Sequence, residues 1–104
     1  MTLTLKTDPP TATGGPLFAL GHLVATPHAL RVLEALGMTP LPLLTRHVQG
    51  DWGDLDPADV QVNQEALQDG SRLFSSYTLR HDIKVWVITE ADRSVTTVLM
   101  PDDY

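Results

Sequence analysis

The spacing of apolar residues changes once along this chain, and the change falls at Arg72. From Thr26 to Gly70 they recur with the helical period, in three blocks cut by proline and glycine. From Leu73 onward they recur at every second position. A block of helices followed by a block of strands does not build the alternating strand–helix units of a parallel sheet. It predicts an α+β domain with the helices gathered on one face of an antiparallel sheet.

The helical blocks carry their own start and stop signals. Thr26-Pro27 supplies an N-cap and a proline for the first turn; Leu30, Leu33 and Leu36 then recur at helical spacing, and Gly37 stops the run. Thr39-Pro40 opens the second block, with Leu41, Leu44 and Val48 as its stripe and Gly50 as its end. Asp56-Pro57 opens the third, with Val60, Asn63, Ala66 and Leu67 on one side and Gly70 as the stop. Its aspartates suit the positive end of a helix dipole.

Three β-branched and aromatic runs follow: Leu73–Leu79, Ile83–Thr89 and Val95–Met100. The connectors Arg80–Asp82 and Glu90–Ser94 are short, so the runs form an antiparallel meander. Leu17–Ala25 reads as a further, N-terminal strand, which can join the meander to give a four-stranded sheet. Residues 1–16, with Asp8-Pro-Pro and Gly14-Gly-Pro16, read as a flexible tail ahead of one domain over 17–104. The core is expected from Leu30, Leu33, Leu44, Leu67, Leu73, Tyr77, Val85, Trp86, Val87 and Ile88. Along the middle strand Lys84, Trp86 and Ile88 share one face, and Val85, Val87 and Thr89 the other. Apolar groups on both faces allow an edge-to-edge or face-to-face homodimer.

Composition removes several classes of function. There is no cysteine, hence no disulfide or thiolate metal site. No apolar run approaches the ~20 residues that span a bilayer, and Met1-Thr-Leu-Thr-Leu-Lys6 is no secretory signal. The chain therefore reads as soluble and cytoplasmic, with no membrane partner. Its net charge is −6, concentrated between Gln49 and Ser71, where six carboxylates meet no Lys or Arg. Such a segment repels phosphate backbones, so direct nucleic-acid binding is not expected. Six carboxylates are also sparse for a mimic of the DNA phosphate ladder.

Polar and aromatic groups concentrate in two places. The first is Arg46-His-Val-Gln-Gly-Asp-Trp-Gly-Asp-Leu-Asp56. Here Trp52 offers a stacking surface, Asp51 and Asp54 offer carboxylates, and Arg46 and His47 lie just upstream. The spacing misses the calcium-loop pattern, and His22, His28 and His81 lack ligand spacing, so neither a metal nor a cofactor is expected. The structural reading of this stretch is that Asp51 and Asp54 form turns, Asp56 caps a helix and Trp52 fills the core. The second concentration is the turn Thr89–Thr97, where Arg93 could clamp a phosphate or carboxylate with two parallel bonds and Ser94, Thr96 and Thr97 add hydroxyl donors. Its structural reading is a hairpin closed by local ion pairs of Glu90, Asp92 and Arg93.

The stretches Val24–Pro27, Arg46-His47, Gly50–Leu55, Trp86–Ser94 and Thr96-Thr97 resemble a family of small bacterial proteins labelled plasmid-related or hypothetical, found on plasmids and other mobile elements. The resemblance extends from Leu17 to Tyr104 and implies a setting, with no activity to carry over. Two functions follow as expectations. The first is a non-enzymatic accessory protein of a mobile element, including an anti-defence role, that binds a host protein or sequesters a small-molecule ligand through Arg46, His47, Asp51, Trp52, Asp54, Asp92, Arg93 and Thr96. The alternative is a small hydrolase or nucleotide-processing enzyme using His47, Asp51, Asp54 and Glu90 with Arg93. No nucleophile elbow, phosphate loop or dinucleotide fingerprint accompanies it.

Overall fold

A computed structural model describes residues 16–104. The tail expected over residues 1–16 thus lies, Pro16 apart, outside the described residues. In chain order the elements are strand β1 (His22–Ala25), helices α1 (Pro27–Ala35), α2 (Leu41–Val48) and α3 (Pro57–Asp69), and strands β2 (Leu73–Thr78), β3 (Lys84–Thr89) and β4 (Val95–Leu99). The order in the sheet is β1-β4-β3-β2. The last three strands form the expected antiparallel meander, and β1 joins it as a fourth strand, parallel to β4. The fold is α+β. No helix among the described residues is long and apolar enough to cross a membrane.

The local signals act largely as expected. The Thr26 side chain accepts from the Ala29 amide at 3.1 Å and so caps α1, with Pro27 in its first turn. α3 ends on Gly70 in the left-handed conformation. Asp56, by contrast, stands at the start of α3 without a side-chain capping bond. α2 starts one residue late, with Pro40 as its N-cap, and its buried side is Leu43, Leu44, His47 and Val48 while Leu41 is exposed.

Two expectations about the core are corrected. Leu30 is exposed because Ala29 and Leu33, one helical repeat apart, set the buried side of α1 and leave Leu30 about 100° away from it. Trp86 is only half-buried and belongs to the face of the sheet that the helices do not cover. The expected first strand is also shorter. Leu17–Leu20 is not strand: the Leu17 amide donates to Val48 at 2.8 Å, and Phe18 packs beside His47 and Trp52. Gly21, at φ +67°, breaks the extended run where its backbone meets the Arg93 and Ser94 carbonyls.

The covered face carries one main cluster, in which Ala29, Leu33, Leu43 and Leu44 meet Tyr77, Val85, Val87 and Val98. A smaller one joins Trp52, Ala66 and Leu73. Of the remaining core candidates, Ile88 is buried on the opposite face and Leu67 packs partly buried on the smaller cluster. The carboxyl-terminal turn is latched to the start of α1. The Asp103 carboxylate accepts from the Thr26 hydroxyl at 2.7 Å, the Met100 amide at 3.0 Å and the His28 ring at 3.0 Å. Chiefly through the Thr26 bond, its pKa falls to about 2.

The outer edge of β2 is closed by the chain itself. Ser76 donates its amide to the Trp52 carbonyl at 3.1 Å and accepts from the Asp54 amide at 2.6 Å. Two residues along, the Asn63 amide group donates to the Phe74 carbonyl at 2.7 Å and accepts from the Phe74 amide at 3.1 Å. Gly53 passes so close that an added Cβ would lie 2.1 Å from the Ser76 carbonyl oxygen, at φ +77°. Gly53→Ala is therefore expected to destabilise the fold by about 3 kcal/mol. Gly37→Ala meets open space at a similar φ and should cost about 1 kcal/mol. Urea unfolding of the two variants checks the difference.

Candidate functional site

The residues singled out in the sequence separate into a buried set and a surface set. His47, near the end of α2, is fully buried between the helix and the sheet. Its Nδ1 lies 2.6 Å from the Ser75 hydroxyl on β2, and its Nε2 lies 3.0 Å from the Thr89 hydroxyl on β3. Thr89 lies 2.6 Å from the Thr96 hydroxyl on β4, which donates to the Leu20 carbonyl at 2.7 Å.

The direction of this chain follows from its end. A carbonyl only accepts, so the single hydroxyl proton of Thr96 goes to Leu20. Thr89 must then donate to Thr96 and accept from His47. The imidazole therefore carries its proton on Nε2, and Nδ1 accepts from Ser75. Burial is the main force holding the ring neutral, with the Arg93 guanidinium adding to it, and together they lower the His47 pKa to about 3.

A serine hydroxyl 2.6 Å from an imidazole resembles a nucleophile beside its base. Here the position excludes that use. Ser75 and His47 are both fully buried, so no substrate atom reaches the hydroxyl without opening the core. A base titrating near 3 also has little proton affinity at neutral pH. The other ring nitrogen faces a threonine, where a hydrolytic triad places a carboxylate.

Aromatic rings surround this chain. Phe18 meets the His47 ring edge-on at 5.3 Å and stacks on Trp52 at 6.3 Å, and Trp52 stands edge-on to His47 at 5.7 Å. The Trp52 indole N–H is buried without a hydrogen-bond partner among the described residues. Arg93 lies over the Phe18 ring at 5.8 Å. Its guanidinium donates to the carbonyls of Ser71 at 2.6 Å, Ala66 at 3.1 Å, and Glu90 and Ala91 at 3.2 Å. It ties the β3–β4 turn to the end of α3 and makes no ion pair with Glu90 or Asp92. The two sequence segments thus meet in space, through His47, Trp52, Phe18, Arg93 and Thr96.

The remaining candidates lie on the surface with partners of their own. Arg46 grips Asp51 with two bonds, at 2.7 and 3.2 Å, and its guanidinium lies over the Tyr77 ring at 4.5 Å. That grip is the first reason the Asp51 pKa is lowered. The Tyr77 hydroxyl donates to the Asp51 carbonyl at 2.7 Å, and burial pushes the phenol up to about 12. Asp54 accepts from Thr78, which in turn accepts from Lys84 at 2.9 Å. Asp92 accepts from the Ser94 amide at 3.0 Å, closing the turn, and Glu90 is exposed beside it. The four residues named for a hydrolase, His47, Asp51, Asp54 and Glu90, are therefore not turned to one point. Among the described residues no group of three His, Asp or Glu side chains could hold a metal ion.

A second constellation was not foreseen from the sequence. On the uncovered face of the sheet Phe74 meets Trp86 edge-on at 5.0 Å, and Trp86 meets Tyr104 at 5.9 Å. Arg72 donates to the Tyr104 hydroxyl at 2.8 Å and lies over its ring at 5.7 Å. Ile88 and Leu99 belong to the same face by register, and Lys84 stands exposed at its rim. None of these side chains belongs to either core cluster. No known family, curated protein or solved structure matches the chain.

The buried imidazole gives a pH dependence whose sign is fixed. Below pH ~6.5 the unfolded chain takes up a proton on His47 that the folded chain refuses. Stability is thus fully present above that pH and falls by about 1.4 kcal/mol per pH unit as pH drops toward 3. The depressed aspartates act only below their ordinary value of 3.8. Urea unfolding between pH 7 and 4.5 should show this slope in the native chain and a flat profile in His47→Gln.

Proposed function

We propose that this chain is a non-enzymatic binding protein that recognises a partner protein through the aromatic face of its sheet. The observation that carries the proposal is the row Phe74, Trp86 and Tyr104 on a face outside both core clusters. Large aromatic side chains fixed against one another lose little freedom on binding and bury much area, which is why such residues dominate protein interfaces. Arg72 and Lys84 border the row, so a partner that places an apolar anchor among acidic groups fits it best.

The polar residues first considered for ligand binding support this reading from the other side. His47, Arg93, Asp51 and Asp54 are each engaged in holding the chain together. The resemblance to proteins of plasmids and mobile elements supports a host protein as the partner, and an accessory or anti-defence role as its purpose.

The test is affinity capture from bacterial lysate with the full chain, followed by calorimetric titration of what is captured. Trp86→Ala should weaken binding by about thirtyfold, as expected of a central interface aromatic. Asp51→Asn, whose carboxylate pairs with Arg46 at the end of α2, should bind like the native chain. A captured partner indifferent to Trp86→Ala, or lost with Asp51→Asn, contradicts the proposal.

A further inference from the structure

The sheet has two outer edges, and the fold treats them differently. The β2 edge is closed by the Trp52–Asp54 loop and by Asn63, as described above. At the other edge lies β1. His22 donates its amide inward to Ser94 at 2.8 Å, and Thr26 donates inward to Val98 at 3.0 Å. Strand periodicity then turns the amides and carbonyls of Leu23 and Ala25 outward. Among the described residues nothing pairs with those four groups.

The usual protections of a free edge are missing from these four residues. His22-Leu23-Val24-Ala25 contains no lysine, no carboxylate, no proline and no bulge. Leu23 and Val24, on opposite faces, are 39% and 41% exposed, and Leu30 on the following helix is exposed as well. Among the described residues, brevity is its only safeguard.

We infer that the outer edge of β1 pairs antiparallel with the same strand of a second copy of this chain. A two-fold axis at Val24 sets Leu23 opposite Ala25 of the second copy, and Ala25 opposite Leu23 of the second copy. Each pair exchanges two backbone bonds, so all four outward groups of each copy are satisfied together. Val24 meets Val24 of the second copy across the axis at the close, non-hydrogen-bonded position. The length of the edge favours this occupant over a longer foreign strand. On one side Gly21 has left the extended conformation at φ +67°, and on the other Pro27 has no amide. A longer strand would gain no further bonds. The neutral segment also lets two copies of net charge −6 meet without placing like charges opposite one another. The pairing doubles the four-stranded sheet and is independent of the aromatic-face reading.

The experiment is sedimentation equilibrium of the full chain from micromolar to millimolar concentration, joined to amide hydrogen exchange read at Leu23 and Ala25. The expected result is a monomer–dimer equilibrium in which both amides slow as the dimer forms. Leu23→Lys, at an exposed position, and Leu23→Pro, which deletes one outward donor, should each weaken association at least tenfold, with circular dichroism checking that the fold persists. A monomer throughout overturns the inference, and so do slow Leu23 and Ala25 amides in that monomer, which would mean an edge covered from within the chain. A dimer whose two amides exchange at a concentration-independent rate overturns it too, as does a dimer equally strong in both variants.

Discussion

His47 donates from Nε2 to Thr89 and accepts at Nδ1 from Ser75, and through that one ring α2 is tied to β2 and β3. Thr96 extends the tie to β4 and to Leu20, just ahead of β1. A polar chain inside a low-dielectric interior stabilises only when every member is satisfied; one unpaired group costs about 1–3 kcal/mol. The five groups in this chain form a complete sequence of donors and acceptors. A slip of β2 by one residue would turn Ser75 away from the imidazole, and a slip of β4 would turn Thr96 away from the Thr89 hydroxyl. The network therefore fixes the register of helix and strands as well as holding them together.

The rest of the polar chemistry follows a common pattern. Polar groups complete backbone bonds that the regular elements leave open, with the Trp52–Asp54 loop along β2, Asn63 beside it and Arg93 at the end of α3, while the Asp103 carboxylate ties the last turn to the Thr26 hydroxyl. A small domain has few apolar side chains with which to stabilise itself, and its polar residues are accordingly drawn into the framework. Phe74, Trp86 and Tyr104 remain on the face of the sheet that the helices leave uncovered. Charge and hydroxyls thus serve largely as structure, and the ring face of the sheet is the surface proposed for recognition.

The sequence made the elements legible because their signals are local. Thr26-Pro27 and Gly70 mark helix ends through their own backbone preferences, and the period-two runs after Arg72 need no tertiary context. The helix faces were less legible. Leu30 and Leu41 sit at helical spacing, yet the sheet meets Ala29 and Leu43, and an error of one residue rotates a helix by about 100°. The density of charge around Asp51 and Arg93 suggested a site, although Asp51 pairs with Arg46 and the Gly53 amide close by in sequence, and Arg93 serves distant carbonyls of Ala66 and Ser71 that no local pattern reveals. One signal was present and went unused. Ser75, Thr89 and Thr96 occupy positions whose strand neighbours Leu73, Tyr77, Val87 and Val98 face the core. Hydroxyls at inward positions need a buried partner, and His47 is that partner. Phe18 and Tyr104 gave no comparable sign, since each acts through contacts made only after folding.

The central claim is that His47 is a sealed, neutral, structural imidazole. Two-dimensional NMR correlating its ring nitrogens with the carbon-bound ring protons, followed from pH 7 to pH 4, tests it most directly. The account predicts the Nε2–H tautomer, with Nδ1 shifted as an acceptor and both resonances unmoved across that range. A ring that titrates with a midpoint near the ordinary histidine value of 6.5, or one that carries its proton on Nδ1, would contradict it.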